Sequence, residues 1–385
     1  MTELKKFLKD PVFYVPVLFL LGLELLLQSP LYRKLLEPNS YAENVNRITE
    51  TMKTSPVEPN VLILGTSVAY QGVNMPLLNK LLEDDGIVVQ NGASQGAMLE
   101  TQHAIYRDIR DDLPELKAVI HVAEIYFPWQ ARYKLEPANK IMLAQFPRRQ
   151  VLPMLGNYRF DLTVSDYAFF LFRTLTYKQD LRDLTLSPLD RVKDLGRKWR
   201  SASRDYPHIN EYEYSLAAYG ETRKECLESA LKYAKTGTLP QKDGKSLSDR
   251  HHRQAAIDTC SLASRIPVDD PGAPEWTNLF FHRLSLMHGE IRKDDVQVVT
   301  LFAPYSDMMP VRENPDPMDL WVSNLQKIHG GQAQVVDMRD ALDGPENATY
   351  FYDILHLNKY GSEEFTYLLA DRLRELKPKI LGQQN

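Results

Sequence analysis

Residues 61 to 72 read Val-Leu-Ile-Leu-Gly-Thr-Ser-Val-Ala-Tyr-Gln-Gly, and this stretch decides the fold that we expect. Its four leading apolar residues predict a strand that is buried on both faces of a parallel sheet. Open sheets of this kind bind ligands at the carboxyl ends of their strands, which is where Ser67 falls. Ser67 is therefore a candidate nucleophile at a strand-to-helix turn. A simpler interpretation, in which Thr66 or Ser67 only caps the following helix, fits the same residues.

A second polar pair lies near the other end of the sequence, within residues 351 to 369. Asp353 and His356 stand three residues apart in a segment that leads into a helix, which we expect Ser362 to cap. A carboxylate at this spacing can orient an imidazole ring and stabilise its protonated form, as the base of a serine nucleophile requires. The sequence therefore predicts Ser67 as nucleophile, His356 as base and Asp353 as the group that orients the base.

Predicted strands and helices alternate on both sides of a long interruption. Before it, we predict strands at 61–65, 87–91 and 118–123, with helices near 76–84 and up to residue 112. After it come strands at 296–304 and 334–337, a helix near 317–328 and a last helix to about residue 376. Alternation with short connections indicates right-handed crossovers and a parallel sheet. The predicted fold is a three-layer α/β/α domain with a parallel sheet.

The predicted organisation of the chain has four parts. They are a cytoplasmic tip and transmembrane anchor at 1–36, a stalk at 37–60, an α/β domain at 61–128 and 295–385, and a mainly helical insertion at 129–294. Within the insertion, helical periodicity covers 166–184, 211–235 and 249–265, and residues 236–248 are typical of a loop. Cys226 and Cys260 both fall in the insertion, where they could form a disulfide or remain free thiols.

The anchor is predicted from an apolar run at residues 12–28, which contains Glu24 and follows Lys5, Lys6 and Lys9. No cleavage site of the small-residue type follows this run. We therefore expect a single-pass cell-membrane protein with its lysines in the cytoplasm and its α/β domain on the other side. The alternative is that residues 12–28 form a buried amphipathic helix of the folded domain.

Composition excludes several classes of protein. The chain has 385 residues and a formal net charge of -5, and its basic residues are spread along the sequence rather than clustered, so we expect no nucleic-acid partner. Two cysteines do not make a disulfide framework. We find no spacing typical of metal ligands and expect neither a metal nor a cofactor.

These motifs together resemble the SGNH (GDSL-like) hydrolase family. Gly65-Thr66-Ser67 is similar to the first block of that family, with Thr in place of Asp, and Asp353 to His356 is similar to its last block. The segment from Asn91 to Gly96 resembles the second block, whose glycine N–H helps to bind the oxyanion of the tetrahedral intermediate. The resemblance thus implies an SGNH/flavodoxin-like fold, with the N–H groups of Val68 and Gly96 as oxyanion donors.

The third block departs from the family. SGNH hydrolases usually carry an Asn after the third strand as a further oxyanion donor, whereas this chain reads Glu-Ile-Tyr-Phe-Pro-Trp at residues 124–129. Tyr126, Gln130 or a residue of the insertion could replace that Asn. Glu124 and Tyr126 are candidates for a wall of the site, although Glu124 could instead serve only a structural hydrogen bond.

The apolar N-terminus, the altered third block and the long insertion resemble a membrane-anchored branch of the family. That branch includes cell-surface polysaccharide O-acyltransferases and the D-alanine transfer protein of teichoic acid synthesis. The resemblance implies a serine acyltransferase or esterase that acts on O-acyl groups of a cell-surface glycan through acyl-Ser67. It also implies a multi-pass membrane acyltransferase as partner. The alternatives are a catalytically silent scaffold or binding protein of a surface-polymer assembly and a plain membrane-anchored esterase or lipase.

Overall fold

The structure of the chain is a computed structural model, and it describes part of the sequence. The described residues are 11–55, 58–201, 210–213, 215–218, 223–236, 274–309 and 317–381. Within them the chain divides into two compact units, one drawn from residues 1–47 and 134–202 (the first unit) and one drawn from residues 48–133 and 203–385 (the sheet unit).

Five strands form one parallel sheet in the sheet unit. They are β1 (Val61–Leu64), β2 (Val89–Asn91), β3 (Ala118–Ala123), β4 (Gln297–Phe302) and β5 (Gln334–Asp337), in the spatial order β2-β1-β3-β4-β5. Every residue of β1 and β3 is buried, because helices cover a parallel sheet on its faces and leave these strands little exposed surface. The predicted α/β class with a parallel sheet is therefore confirmed.

The described helices are numbered here in chain order. They are α1 (Pro11–Gln28), α2 (Pro30–Arg33), α3 (Tyr41–Thr54), α4 (Ser67–Gly72), α5 (Met75–Leu82), α6 (Leu99–Ile109), α7 (Phe127–Gln130), α8 (Pro137–Leu143), α9 (Arg148–Asn157), α10 (Val164–Leu171), α11 (Arg173–Thr176), α12 (Lys178–Leu186), α13 (Pro188–Ser201), α14 (Arg223–Thr236), α15 (Pro274–Lys293), α16 (Met318–Ile328) and α17 (Lys359–Ile380).

The strand order places a ligand-binding crevice at a definite point of the sheet. From β1 the chain crosses to β2 on one side and then returns to β3 on the other side of β1. Because these two connections run in opposite directions, the carboxyl ends of β1 and β3 flank the topological switch point, where open α/β sheets bind ligands. Ser67 follows β1 and Glu124 follows β3, so both candidate residues belong to this edge of the sheet.

The prediction of a transmembrane anchor at residues 12–28 is wrong. No helix in the part of the chain that the structure describes is both long and apolar enough to cross a membrane. Helix α1 has 18 residues, which span about 27 Å against a hydrocarbon core of about 30 Å. Its acidic residue has a structural use, since the Glu24 carboxylate accepts hydrogen bonds from the backbone N–H groups of Arg173 at 2.6 Å and Thr174 at 3.0 Å. The predicted single-pass cell-membrane location, with the domain on the outer side, is corrected by the same finding.

The alternative interpretation expected a buried amphipathic helix at residues 12–28. Helix α1 differs from that expectation too, because most of its length is exposed. Leu27, near its carboxyl end, packs with Tyr32, Leu36, Ala42 and Tyr177 in an apolar cluster of the first unit. The amino-terminal part is open to solvent, with Val12 and Phe19 82% and 68% exposed. Only the carboxyl-terminal part of α1, with Leu27 and the partly buried Leu23, therefore contributes to the core of its unit.

The predicted insertion differs from the structure in its details. The periodic stretch at 166–184 is divided among α10, α11 and α12, because the extended backbone of Phe172 interrupts the helix. Within the 211–235 prediction, the described residues include a short 3-10 turn at Leu216–Ala218 and helix α14, which covers the second half. The helix predicted at 249–265, Cys260 and the side chain of Cys226 lie outside the described residues. A disulfide between Cys226 and Cys260 therefore remains one of the two alternatives drawn from the sequence.

Candidate active site

Ser67 is held at the carboxyl end of β1 by a close-packed turn. A Cβ atom on Gly65 would lie 2.8 Å from the Cβ of Ala69 and 3.1 Å from the carbonyl oxygen of Val122, so only glycine fits between α4 and β3. Thr66 is the N-cap of α4, and its hydroxyl accepts a hydrogen bond from the N–H of Val68 at 3.3 Å. The cap is thus Thr66, and Ser67, the first helical residue, keeps its partly exposed hydroxyl for another partner.

Asp353 shapes the turn that carries His356. One carboxylate oxygen, Oδ1, accepts hydrogen bonds from the backbone N–H groups of Leu355 at 2.8 Å and His356 at 2.7 Å. The other, Oδ2, lies 2.7 Å from Nδ1 of His356. The backbone N–H of Tyr352 closes the turn on the carbonyl of His356 at 3.0 Å. Asp353 therefore fixes both the turn and the ring, which explains the three-residue spacing in the sequence.

The structure brings Ser67, His356 and Asp353 together in one hydrogen-bonded set. Nε2 of His356 lies 2.7 Å from Oγ of Ser67, on the side of the ring opposite Asp353. Because Nδ1–H donates to the carboxylate, Nε2 is the acceptor of the serine hydroxyl. Burial lowers the pKa of His356, but the charge and hydrogen bond of Asp353 outweigh it, so the pKa is raised. The imidazole is thus oriented and basic enough to accept a proton from Ser67.

The helix that follows His356 begins earlier than the sequence suggested. We expected Ser362 to cap it, whereas α17 starts at Lys359 and its N-cap is Asn358, whose side chain accepts the N–H of Gly361 at 2.9 Å. Asn358 is fully buried and also donates to the carbonyl of Thr349. The cap is therefore set by contacts of Asn358 with the preceding loop.

Tyr352 supports the ring of His356 from one face. The two rings stack with their centroids 5.4 Å apart and an angle of 10° between their planes. The hydroxyl of Tyr352 donates to Oε1 of Gln71, in α4, at 2.5 Å. Tyr352 therefore connects the helix of Ser67 to the turn of His356. No local pattern indicates this role, since a tyrosine before an Asp-x-x-His segment has many other uses.

A short piece of the predicted insertion braces the same turn. Asn210 is 4% exposed, and its side-chain amide donates to the carbonyl oxygens of Leu357 at 2.6 Å and Gln71 at 3.1 Å. Nearby, the N–H of Lys359 donates to the carbonyl of Tyr212 at 2.7 Å. Sequence reasoning missed Asn210, because its partners lie more than a hundred residues away on either side.

Glu124 and Tyr126 form a buried hydrogen-bonded chain that starts at Thr66, the residue before Ser67. The Glu124 side chain is 4% exposed, and its carboxyl group is hydrogen-bonded to the hydroxyls of Thr66 and Tyr126. Burial raises the pKa of Glu124, which favours its neutral form. The sequence analysis offered a structural hydrogen bond as one alternative for Glu124, and its bonds to Thr66 and Tyr126 are of this kind. They hold Thr66, the residue before the candidate nucleophile.

The two expected oxyanion donors differ in their surroundings. The Val68 N–H already has an acceptor, the hydroxyl of Thr66, at the long distance of 3.3 Å. Gly96 is exposed in the loop after β2 and has a φ of 69°, a value that favours glycine. Asn91 fastens this loop to α4, since its side chain donates to the carbonyl of Ala69 at 3.0 Å and accepts the N–H of Ala93 at 2.9 Å.

Three other histidines form a buried chain in the sheet unit. Nδ1 of His121 and Nε2 of His288 are 3.0 Å apart, and Nδ1 of His288 and Nε2 of His329 are also 3.0 Å apart. Burial lowers the pKa of His121 to about 3 and that of His329 to about 4, and burial lowers the pKa of His288 as well. No group of three or more His, Cys, Asp or Glu side chains in the described ranges could hold a metal ion.

Comparisons with known proteins assign no family to this chain. No protein-family model matches the chain, and no curated protein matches it. Among solved structures, the chain is similar to a "putative platelet activating factor from Streptococcus pneumonia", with 11% sequence identity, 86% of this chain and 91% of that chain covered, and a TM-score of 0.36. A likeness at this TM-score carries no information about the site.

Proposed function

We propose that the chain is a serine-dependent acyl-transfer enzyme of the SGNH (GDSL-like) type, with Ser67 as nucleophile, His356 as base and Asp353 as the residue that orients the base. The observation that supports this most directly is the continuous set of two 2.7 Å contacts, Ser67 Oγ to His356 Nε2 and His356 Nδ1 to Asp353 Oδ2. Its position beside the switch point of a parallel sheet supports the same function.

The proposed reaction has two half-reactions. In the first, Nε2 of His356 takes the proton of Ser67 while Oγ attacks the carbonyl carbon of an acyl ester. The intermediate then expels the alcohol, which receives the proton from His356, and the acyl group remains on Ser67. In the second, water or a second alcohol gives its proton to His356 and attacks the acyl-serine. Release of Ser67 with its proton completes the cycle as hydrolysis or as transfer.

The negative charge of the tetrahedral intermediate needs backbone donors. We propose the N–H groups of Val68 and Gly96 for this role. The bond from Val68 to Thr66 is long, at 3.3 Å, so a substrate oxyanion can compete for that N–H because charge-assisted hydrogen bonds are about twice as strong as neutral ones. Loss of a single oxyanion donor costs about 100- to 1000-fold in rate, which makes Gly96 and Val68 the positions where this part of the proposal is decided.

The substrate class rests on the family resemblance of the sequence. We propose an O-acyl group of a cell-surface glycan as the natural substrate, or a glycan hydroxyl as the acceptor, with a multi-pass acyltransferase as the source of acyl groups. Whether water or a glycan accepts the acyl group depends on how well the bound acceptor excludes water from Ser67.

The deciding experiment is detection of the acyl-serine. The full chain is mixed with p-nitrophenyl acetate and quenched, and peptide mass spectrometry locates the acetyl group, with release of p-nitrophenol measured in parallel. We expect acetyl on Ser67 in the wild type and none in Ser67→Ala. The control is Ser323→Ala, because Ser323 is an exposed serine of α16. Ester turnover that is unchanged in Ser67→Ala would exclude Ser67 as the nucleophile.

One observation favours a second candidate, a catalytically silent binding protein of a glycan assembly. The Val68 N–H is already hydrogen-bonded, and the sequence after β3 lacks the usual Asn donor, so the oxyanion site would be weak. The two candidates differ in the experiment above. The silent protein would bind acylated glycan fragments but leave Ser67 unacylated with every acyl ester offered.

A further inference from the structure

Three arginines of the first unit approach one another from the surface to the interior. Arg33 is exposed, Arg148 is half-buried, and Arg173 is 9% exposed. The Nη1 atom of Arg173 is buried without a hydrogen-bond acceptor among the described residues. A buried charged donor without an acceptor is costly, because it has lost its hydration and gained no partner. This nitrogen therefore points to a missing anionic group.

The side chains of Arg173 and Arg33 are linked through Tyr177 and Gln145. The guanidinium carbon of Arg173 lies 6.0 Å from the ring centroid of Tyr177, whose hydroxyl donates to Oε1 of Gln145 at 2.6 Å. Nη2 of Arg33 donates to the carbonyl oxygen of the same Gln145 at 3.3 Å. Arg148 follows three residues later, at the start of α9. Burial lowers the pKa of Arg173, and the positive charges of Arg148 and Arg33 lower it further, as expected for groups that are close together.

The neighbouring carboxylates are already occupied. Glu24 accepts the backbone N–H groups of Arg173 and Thr174, as described above, and the side chain of Gln28 at 2.9 Å. Asp180 pairs with Arg191 at 2.9 Å. With Asp180 balanced by Arg191, three guanidinium groups face the single charge of Glu24. Among the charged groups named here, about two positive charges therefore remain, which suits a doubly charged anion.

We propose that Arg33, Arg148 and Arg173 form a binding site for a phosphate group. A guanidinium presents paired N–H donors that match the oxygen atoms of phosphate, and such bonds are strongest where water is excluded. Arg173 supplies a buried donor, Arg148 a half-buried one and Arg33 an exposed one. The N-terminal end of α9, ten residues long, adds the favourable field of a helix dipole.

The test is binding of inorganic phosphate to the full chain, measured by isothermal titration calorimetry in a chloride buffer at pH 8. We expect saturable binding with a stoichiometry of one. Arg173→Met should weaken it at least about tenfold, since it removes one charge-assisted interaction, and Arg148→Gln should weaken it by about threefold or more. The matched control is Arg149→Gln, an exposed neighbour on the same helix, which should change the affinity by less than about twofold.

Two further arms make the result decisive. Glycerol 3-phosphate replaces inorganic phosphate in one arm, and tighter binding of the ester would identify an organic phosphate as the natural ligand, whereas equal binding would identify the free anion. Circular dichroism checks the fold of each variant, and Arg148→Gln with Arg33→Gln carries the test if Arg173→Met does not fold. Phosphate that binds all of these variants as tightly as the wild type, or that gives no binding heat with the wild type at about 10 mM, would overturn the proposal.

Discussion

At the scale of single residues, the position of Ser67 depends on the small size of Gly65 and on the helix cap of Thr66. Gly65 lets α4 pack directly on β3, with space for no side chain at that position. Thr66 uses its hydroxyl to cap the helix, so the hydroxyl of Ser67 stays with His356. The reactivity that we propose for Ser67 therefore follows from how the turn is packed as much as from the imidazole.

Ser67 and His356 should behave as one unit on substitution. We expect Ser67→Ala and His356→Ala each to lower ester turnover by at least about 1000-fold, because either change disables the same proton transfer. The double variant should be no more than a few-fold slower than either single one. The measurement is kcat/KM for p-nitrophenyl acetate, with folding checked by circular dichroism. Multiplicative losses in the double variant would mean that the two side chains act in separate steps.

Asp353→Asn should change both the rate and its pH dependence. We expect a loss of about 100- to 10,000-fold, because the imidazole keeps its place poorly and favours the wrong tautomer. His356 acts as a base only when it is neutral, so activity rises as the pH increases through its pKa. Asp353 raises that pKa, and its removal should shift the acid limb of the pH–rate profile to lower pH. An unshifted limb would show that a group other than His356 controls it.

Tyr352 should act through the position of the imidazole. Tyr352→Leu removes the ring that stacks on His356 at 5.4 Å, and we expect kcat to fall about tenfold with little change in KM. Tyr352→Phe keeps the stacked ring and loses the hydroxyl with its hydrogen bond to Gln71, so it is the matched control and should cost no more than about threefold. If both variants lose activity equally, the hydroxyl rather than the ring is the important group.

At the scale of elements, the turn of His356 is held by a segment remote in sequence. Asn210 joins the end of α4 to the residue after His356 through two carbonyl groups. We expect Asn210→Ala to lower the free energy of unfolding by about 1–3 kcal/mol, since it leaves buried carbonyls without donors, and to lower kcat as well. Urea denaturation and ester kinetics measure the two effects.

The control for Asn210 is Asn324→Ala. Asn324 makes one local bond, to the carbonyl of Leu320 within α16 at 2.8 Å, so its loss should affect stability less and leave kcat unchanged. An Asn210→Ala variant that keeps both full stability and full kcat would mean that the rest of the turn is rigid without the brace.

The sequence predicted those elements whose cause is local. An uninterrupted apolar strand such as β1 and a carboxylate three residues before a histidine both depend on near neighbours, so the sheet and the residues of the candidate set could be found. Glu24 and Asn358 illustrate the opposite case. Glu24 lies in an apolar run, but its partners are the N–H groups of α11, about 150 residues later. Asn358 caps α17 because it also binds Thr349, which no local pattern reveals.

At the scale of the whole molecule, the histidine chain should make the free energy of unfolding decrease as the pH falls. In the unfolded chain a histidine binds a proton as the pH falls below about 6.5, whereas His329 and His121 stay neutral down to about 4 and about 3. The unfolded state then holds more protons, so stability decreases as the pH falls through this window. Each histidine that stays neutral contributes a slope of about 1.4 kcal/mol per pH unit.

The measurement is the free energy of unfolding by urea between pH 7 and pH 4.5. We expect His288→Gln to have a shallower slope than the wild type, by up to about 1.4 kcal/mol per pH unit, whatever its stability at neutral pH. His282→Gln is the control, since His282 lies on the same helix, α15, but does not belong to the histidine chain. Equal slopes for all three proteins would assign the acid sensitivity to other groups.

The sheet order also governs the time at which the protein can fold on the ribosome. Strand β3 needs β4 as its neighbour, and about 170 residues separate the two strands, which take about 10–35 s to synthesise at about 5–20 residues per second. During that interval the growing chain has β1, β2 and β3 but an open β3 edge, and such an edge pairs readily with other chains. The turn of His356 emerges later still. Slowing translation between β3 and β4 should therefore increase aggregation of this chain, whereas slowing it after residue 381 should not.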